Sequence, residues 1–198
     1  PGFGQTQIPP EAWNLDNYAK FVKSFLSKIE VKPYAIVGHS NGGAVIVRGV
    51  ALGELLPSRL VLLAASGVRN SHKTRRFFVK IIAKIGKVLT IWLPITVRQS
   101  LQRRLYGTVG SDMLVAGHMR ETFKLTVSQD VLADAKTIKN PTLLIYGTDD
   151  KATPIDGVGE SLHQAIKGSQ LEVVKGADHF VHNFDPKGVS SLIKEFLG

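Results

Sequence analysis

Apolar residues recur along the first third of the chain in two alternating patterns. From residue 16 or 17 to 29 they repeat at helical spacing, and Asp16 or Asn17 can cap that helix. Residues 34–37 and 59–65 are short apolar runs of the kind buried in a parallel sheet, and residues 45–52 between them have helix length. The predicted inward stripe of the first helix is Tyr18, Phe21, Val22, Phe25, Leu26 and Ile29.

The same alternation returns in the last third of the chain. Residues 142–146 and 171–174 predict two further strands. Residues 155–166 predict a helix weakened by Gly157 and Gly159, and residues 189–197 predict a closing amphipathic helix. Helices and strands in this order predict an α/β fold with a mostly parallel sheet flanked by helices.

Residues 68–139 interrupt the alternation and carry a cluster of basic residues. We predict that they form a helical lid inserted into a core of residues 1–67 and 140–198. Within the lid an apolar stripe from Phe77 to Leu89 lies opposite basic residues, which is typical of a basic amphipathic helix. We favour a solvated lid helix over attraction to an anionic membrane surface or an acidic substrate. Changing Lys80, Lys84 and Lys87 to Gln would abolish vesicle binding only in the second case. A second helix is predicted over residues 112–127.

Composition narrows the class of protein. With 198 residues and 43% hydrophobic content, the chain can form one domain with a full core. It has no cysteine, which excludes thiol catalysis and cysteine-based metal sites but does not fix the compartment. It has no apolar run of membrane-spanning length, so we expect a soluble protein, and we assign it to the cytoplasm. The net charge of +9 is not accompanied by a nucleic-acid motif, so no nucleic-acid partner is expected.

The strand predicted at residues 34–37 leads into the sequence G-H-S-N-G-G. Strand, tight turn and helix with the order G-x-S-x-G describe a nucleophile elbow, with Ser40 as the nucleophile. Such a turn strains the backbone, so Gly38 and Gly42 are expected to be needed for their lack of side chains. The N–H of Asn41 can donate to an oxyanion formed on a substrate carbonyl. The sequence fits neither phosphate-binding glycine pattern.

Partners for the serine follow two later predicted strands. Asp149 and Asp150 come after the strand at 142–146, and His179 comes after the last strand. Because loops after parallel strands emerge at one edge of a sheet, these residues can converge with Ser40 in the chain order of a hydrolase triad. Only one of the two aspartates can face the histidine. His163 and His182 are alternative bases, and His179 ranks first because it follows a strand and a glycine turn.

Four local sequences together resemble the α/β-hydrolase fold superfamily, in its lid-bearing esterase and carbon–carbon bond hydrolase type. They are Pro1-Gly2-Phe3-Gly4, the elbow at residues 38–43, Gly147-x-x-Asp150-x-x-x-Pro154 and Gly176-x-x-His179. The resemblance selects Asp150 over Asp149 as the acid. Ser40 at the nucleophile position is unlike epoxide hydrolases and haloalkane dehalogenases, which use aspartate there. The motifs are specific for the superfamily and carry no information about the substrate.

The resemblance also implies a segment upstream of Pro1. Family members have earlier strands and an H-G loop that supplies the other oxyanion donor, so the chain is expected to be part of a longer enzyme. Without those strands, residues 34–37 would form an open, association-prone edge.

These observations predict a serine hydrolase that cleaves an ester, or a related acyl or carbon–carbon bond, of a small apolar substrate. No cofactor or metal is implied. The alternative is a non-catalytic binding protein or an inactive fragment on the same fold. The predicted substrate-binding residues are His39, Phe78, Trp92, Phe123 and Phe180.

Overall fold

The computed structural model describes residues 1–3, 5–69 and 119–198. Four parallel strands form one sheet in these residues, in the order β1-β2-β3-β4. Neighbouring strands are also consecutive along the described chain, and Gly38 of β1 lies opposite Leu62 of β2, which places the ends of the strands in line. The strands are β1 (Ala35–His39), β2 (Arg59–Leu63), β3 (Thr142–Gly147) and β4 (Gln170–Val174).

Helices lie on both faces of this sheet. They are α1 (Leu15–Lys28), α2 (Asn41–Ala51), α3 (Arg120–Ser128), α4 (Leu132–Ala135), α5 (Glu160–Ala165), α6 (Val181–Phe184) and α7 (Pro186–Leu197). On one face, Leu60, Leu62 and Leu144 pack with residues of α1, α2, α4 and α5. On the other, Val61 and Ile145 pack with residues of α6 and α7. Alternate strand residues therefore enter two separate cores, and the predicted α/β class with a mostly parallel sheet is confirmed.

The buried face of α1 agrees with the predicted stripe only in part: Tyr18 packs against the core and Val22 and Leu26 are partly buried, but three other members of the stripe are exposed. Leu15 and Ala19 are fully buried, whereas Phe21, Phe25 and Ile29 are 41%, 53% and 47% exposed. The helix is turned this way because it packs tightly on α2. A Cβ added to Gly49 of α2 would lie 3.1 Å from the Ala19 Cβ. The helix also begins earlier than predicted, because Asn14 and Asn17 form a capping box. Since β1 is an edge strand of the described sheet, Val37 is likewise half exposed.

The helix predicted at residues 155–166 is broken. Ile155–Gly159 is an irregular turn in which Asp156 and Gly157 have non-helical backbone angles, and only Glu160–Ala165 forms a regular helix. The reason is local, since Gly157 takes a φ of 113°, which a helix does not allow. The closing helix is confirmed with Leu192, Ile193 and Phe196 packed inward, and it starts at Pro186 with Asp185 as its cap.

Residues 119–139 are the described part of the predicted lid segment. The Thr122 hydroxyl accepts a hydrogen bond from the Trp13 N–H, and the Gln129 side chain accepts one from the Leu15 N–H. Val131 and Ala135 are fully buried in the core shared with α1 and α2. This end of the segment is therefore joined to the core. The basic helix, Phe78 and Trp92 lie outside the described residues, so the lid and its boundaries stay predictions.

No helix among the described residues combines the length and the apolar character that crossing a bilayer requires.

Candidate active site

Ser40 lies between the end of β1 and the start of α2, in strained backbone. Its φ of 54° and ψ of −120° fall in a region that favours glycine over residues with a side chain. Its backbone N–H donates to the Leu63 carbonyl, and its own carbonyl accepts from the Ser66 N–H. Because these bonds join Ser40 to the last residue of β2 and to the segment that follows it, the turn is held against the sheet edge.

Close packing at this turn involves Gly38 and Gly43, whereas Gly42 was expected to need its lack of a side chain. A Cβ on Gly38 would lie 2.4 Å from the Ile46 side chain, and one on Gly43 would lie 2.4 Å from the Ala65 Cβ. A Cβ on Gly42, by contrast, would meet nothing within 4 Å among the described residues. The expectation for Gly42 is therefore wrong. The first turn of α2 packs through Gly43 against the segment after β2, and Gly42 faces outward.

The structure brings Ser40, His179 and Asp150 into one hydrogen-bonded line. The Ser40 Oγ lies 2.8 Å from the His179 Nε2, and the His179 Nδ1 lies 2.8 Å from Asp150 Oδ2. The serine and histidine are separated by 139 residues in sequence. They meet because each follows the carboxyl end of a strand, where the loops of a parallel sheet share one edge. A histidine bonded in this way can take a proton from the serine.

Asp150 is buried and well supplied with hydrogen-bond donors. Its Oδ1 accepts the N–H groups of Ala152 and Thr153 at 2.7 and 2.9 Å. Its Oδ2 accepts the Thr153 hydroxyl at 2.7 Å as well as His179 Nδ1. Burial alone would raise the pKa of Asp150, but the bonds from His179 and Thr153 outweigh it and hold that pKa below its ordinary value. The carboxylate is thus kept charged beside the imidazole.

The alternative acid and bases have other surroundings. Asp149 is exposed and accepts a hydrogen bond from the Thr148 hydroxyl. His163 Nδ1 lies 2.9 Å from the Ser169 hydroxyl. His182 stacks edge-on against His39 at a ring distance of 4.9 Å. Of the two aspartates, Asp150 is the one that contacts His179.

His39 joins the elbow to the loop that carries His179, residues 176–179, which we call the histidine loop. Its Nε2 lies 2.8 Å from the His179 carbonyl oxygen, and because a carbonyl can only accept, this nitrogen carries the hydrogen. Burial lowers the pKa of His39. Its ring lies 4.8 Å from the His179 ring and 5.3 Å from the Phe180 ring. These contacts hold the backbone of the histidine loop against the end of β1.

The other predicted site residues lie in different settings. Asn41 is the first residue of α2, so its N–H has no partner within the helix and points out of the helix N-terminus, where anions bind favourably; its role as oxyanion donor stays a prediction. Phe180 is half-buried beside His179, with ring centroids 5.6 Å apart. Phe123 is buried on α3, with 7% exposed. Its role at a substrate pocket stays a prediction.

Thr153 is a site residue that the sequence analysis missed. It is 1% exposed, and its hydroxyl lies within hydrogen-bond distance of Asp150, His179 and the Ala64 carbonyl. A signal was present, because an aspartate followed three residues later by threonine is typical of a turn in which side chains bond nearby backbone groups.

Among the described residues there is no group of three or more His, Cys, Asp or Glu side chains that could hold a metal ion.

A parallel sheet with helices on both faces, and a serine, histidine and aspartate joined at its carboxyl edge, define the architecture of an α/β hydrolase. The alpha/beta hydrolase family matches residues 1–192, and the chain belongs to that family.

The sequence identity to individual relatives is low, at 19% to 26% for the three compared below. The chain is 26% identical to the uncharacterized hydrolase YugF of Bacillus subtilis, over all of this chain and 77% of that protein. It is 24% identical to the 2-hydroxy-6-oxo-2,4-heptadienoate hydrolase of Pseudomonas putida, over 99% of this chain and 75% of that protein. A solved meta-cleavage product hydrolase from Pseudomonas fluorescens superposes with a TM-score of 0.70 at 19% identity, over 98% of this chain and 76% of that one. The chain thus spans about three quarters of each relative. Family and relatives together support a hydrolase.

Proposed function

We propose that this protein is a serine hydrolase in which Ser40 is the nucleophile, His179 the general base and Asp150 the residue that orients the histidine. The observation that carries the proposal is the unbroken line from Ser40 Oγ through both nitrogens of His179 to Asp150, with 2.8 Å at each contact. Serine is a weak nucleophile without an adjacent base, and this arrangement provides one.

The first half of the reaction forms an acyl-enzyme. His179 Nε2 takes the hydroxyl proton as Ser40 Oγ attacks the substrate carbonyl, and Asp150 stabilises the resulting imidazolium. The carbonyl oxygen, as it becomes negatively charged, accepts a hydrogen bond from the Asn41 N–H at the start of α2. His179 then returns the proton to the leaving group as the bond to it breaks.

The second half releases the acyl group. Water donates a proton to His179 Nε2 and its oxygen attacks the acyl carbon. The bond to Ser40 Oγ then breaks and the proton returns to that oxygen. The described residues around Ser40 include the rings of His39, His179 and Phe180, which are 4.8 to 5.6 Å apart. This aromatic side favours a small apolar acyl or ring-cleavage group.

Two bond types fit the proposal, an ester and a carbon–carbon bond. The second is suggested by the names of two similar proteins, a 2-hydroxy-6-oxo-2,4-heptadienoate hydrolase and a meta-cleavage product hydrolase. Turnover of 4-nitrophenyl butyrate and of 2-hydroxy-6-oxo-2,4-heptadienoate, measured side by side on the purified protein, separates them.

A fluorophosphonate probe tests the nucleophile. We expect one probe molecule per chain, attached at Ser40, and no labelling of Ser40→Ala. Ser66→Ala is the matched control, because Ser66 is bonded to Ser40 only through its backbone N–H and should leave labelling intact. Absence of labelling in the folded wild-type protein would refute the serine hydrolase and favour a binding protein on the same fold.

A further inference from the structure

The carboxylate of Asp150 accepts four hydrogen bonds, two on each oxygen. Both bonds to Oδ1 come from the backbone N–H groups of Ala152 and Thr153. The two bonds to Oδ2 come from His179 Nδ1 at 2.8 Å and from the Thr153 hydroxyl at 2.7 Å. A carboxylate has about four lone-pair positions, so this one is saturated. Among the described residues, Thr153 is the only side chain besides His179 that bonds it.

The Thr153 hydroxyl has one proton and two acceptors within reach, because His179 Nδ1, at 3.2 Å, donates its own hydrogen to Asp150. The Asp150 Oδ2 lies at 2.7 Å and the Ala64 carbonyl oxygen at 3.0 Å. The shorter distance and the charge of the carboxylate favour donation to Asp150. The side chain is 1% exposed, so water does not compete for either bond.

The Thr153 hydroxyl lies between Asp150 and the residue that follows β2 in the sheet. Ala64, at the end of β2, has a φ of 43° and donates its N–H to the Ile145 carbonyl of β3. The hydroxyl of Thr153 therefore spans the gap between that strand end and the loop after β3. A small rotation of this hydroxyl would move its hydrogen bond from Asp150 Oδ2 to the Ala64 carbonyl oxygen. The negative charge of Asp150 that acts on His179 would then be less neutralised.

We propose that Thr153 is a positioning residue that acts through Asp150, fixing Oδ2 on His179 Nδ1 and moderating its charge by donating the hydroxyl proton. This inference rests on the proposed function, in which His179 accepts the Ser40 proton. Among the described residues, the titratable groups that interact with Asp150 are His179, Tyr146 and His39. Thr153 differs from these groups because it does not titrate and its hydroxyl bonds Asp150 directly.

Two comparisons isolate the effect of the hydroxyl: wild type with Thr153→Val, and Thr153→Ser with Thr153→Ala. Thr153→Val keeps the shape of the side chain and removes the hydroxyl, whereas Thr153→Ser and Thr153→Ala both lose the methyl group and differ only in the hydroxyl. We expect Thr153→Ser to stay near the wild-type kcat for 4-nitrophenyl butyrate. Thr153→Ala and Thr153→Val should lose about tenfold to a hundredfold in kcat with little change in KM, the range for a hydrogen bond to a charged group.

The pH profile adds a readout that a loss of packing would not change. Without the hydroxyl donor, the Asp150 charge attracts the imidazolium more strongly, so the acid limb of kcat/KM should move to higher pH in Thr153→Ala and Thr153→Val. In Thr153→Ser it should stay in place. Equal losses in Thr153→Ser and Thr153→Ala, or an acid limb that is the same in all variants, would overturn the role.

A spectroscopic measurement separates this inference from the proposed function. The proton NMR resonance of His179 Nδ1–H in the resting protein reports the bond to Asp150 and needs no turnover. It should shift in Thr153→Ala and remain in place in Thr153→Ser, even if the fluorophosphonate test fails. If Thr153→Val does not fold, the Ser and Ala pair carries the comparison. An unchanged resonance in Thr153→Ala would refute the positioning role.

Discussion

Replacing Asp150 by asparagine exchanges one carboxylate oxygen for an NH2 group, and the surrounding hydrogen bonds decide which one. Oδ1 faces two backbone N–H groups, so the amide oxygen must remain there. The NH2 group therefore takes the place of Oδ2, 2.8 Å from His179 Nδ1 and 2.7 Å from the Thr153 oxygen. It donates to Nδ1 and to Thr153, whose own proton turns to the Ala64 carbonyl at 3.0 Å.

This arrangement satisfies every hydrogen bond and reverses the histidine tautomer. With Nδ1 as an acceptor, the hydrogen of the neutral ring moves to Nε2 and points at Ser40 Oγ, so the histidine cannot accept the serine proton. A wrong tautomer in a triad of this kind costs roughly ten-thousandfold in kcat. Because the introduced amide keeps a partner for each of its polar atoms, we expect the thermal midpoint at pH 7 to change far less than the activity.

The assay compares kcat for 4-nitrophenyl butyrate in Asp150→Asn and Asp149→Asn. The second variant makes the same chemical change one residue away on an exposed side chain, and should stay within about twofold of wild type. Circular dichroism melts check that both variants fold. If Asp150→Asn retains more than a tenth of the activity while folded, or Asp149→Asn loses as much, the tautomer argument is wrong.

Two further predictions concern stability. Gly43→Ala should lower the free energy of unfolding by about 1–3 kcal/mol in urea titrations, because its Cβ would lie 2.4 Å from the Ala65 Cβ. Gly42→Ala should leave stability equal or raise it by up to about 1 kcal/mol, since its Cβ meets none of the residues that the structure describes and alanine favours helix; a loss equal to that of Gly43→Ala would contradict the packing. The pKa of Asp150 is held below its ordinary value, so the folded state binds that proton less tightly than the unfolded state. Its stabilising contribution should be complete above pH of about 4 and decline as the pH falls further, and the stability difference between wild type and Asp150→Asn should shrink with it in acid titrations. A difference that stays constant down to pH of about 2 would disprove this linkage.

The candidate site was largely predictable from local sequence. The elbow, the loop of Asp150 at residues 147–154 and the histidine loop each follow an apolar run. Parallel strands place such loops at one edge of the sheet, whatever the length of chain between them. That is why Ser40 and His179, separated by 139 residues, could be paired before their distance was known. The α/β class followed in the same way from the order of helices and strands.

Tertiary packing decided which face of a helix is buried and which glycine is constrained, and the spacing of apolar residues along the sequence does not contain this information. An apolar stripe shows that a helix has a buried side, but the contacts with the partner helix determine which residues are buried. In α1, the close approach of Ala19 to Gly49 leaves Phe21 and Phe25 exposed. In the elbow, both Gly42 and Gly43 can make a tight turn, and only the position of Ala65 shows that Gly43 is the constrained one.

The sequence by itself determined the class of fold, the order of its elements and the pairing of Ser40 with His179, because these depend on short-range patterns and on the direction of strands. The tertiary structure alone decided which neighbours each side chain contacts and which hydrogen bonds it makes. The Thr153 hydroxyl lies between Asp150, His179 and the end of β2, 89 residues away from Ala64 in the chain. A contact of that kind depends on distances between strands and loops, which a linear pattern does not contain.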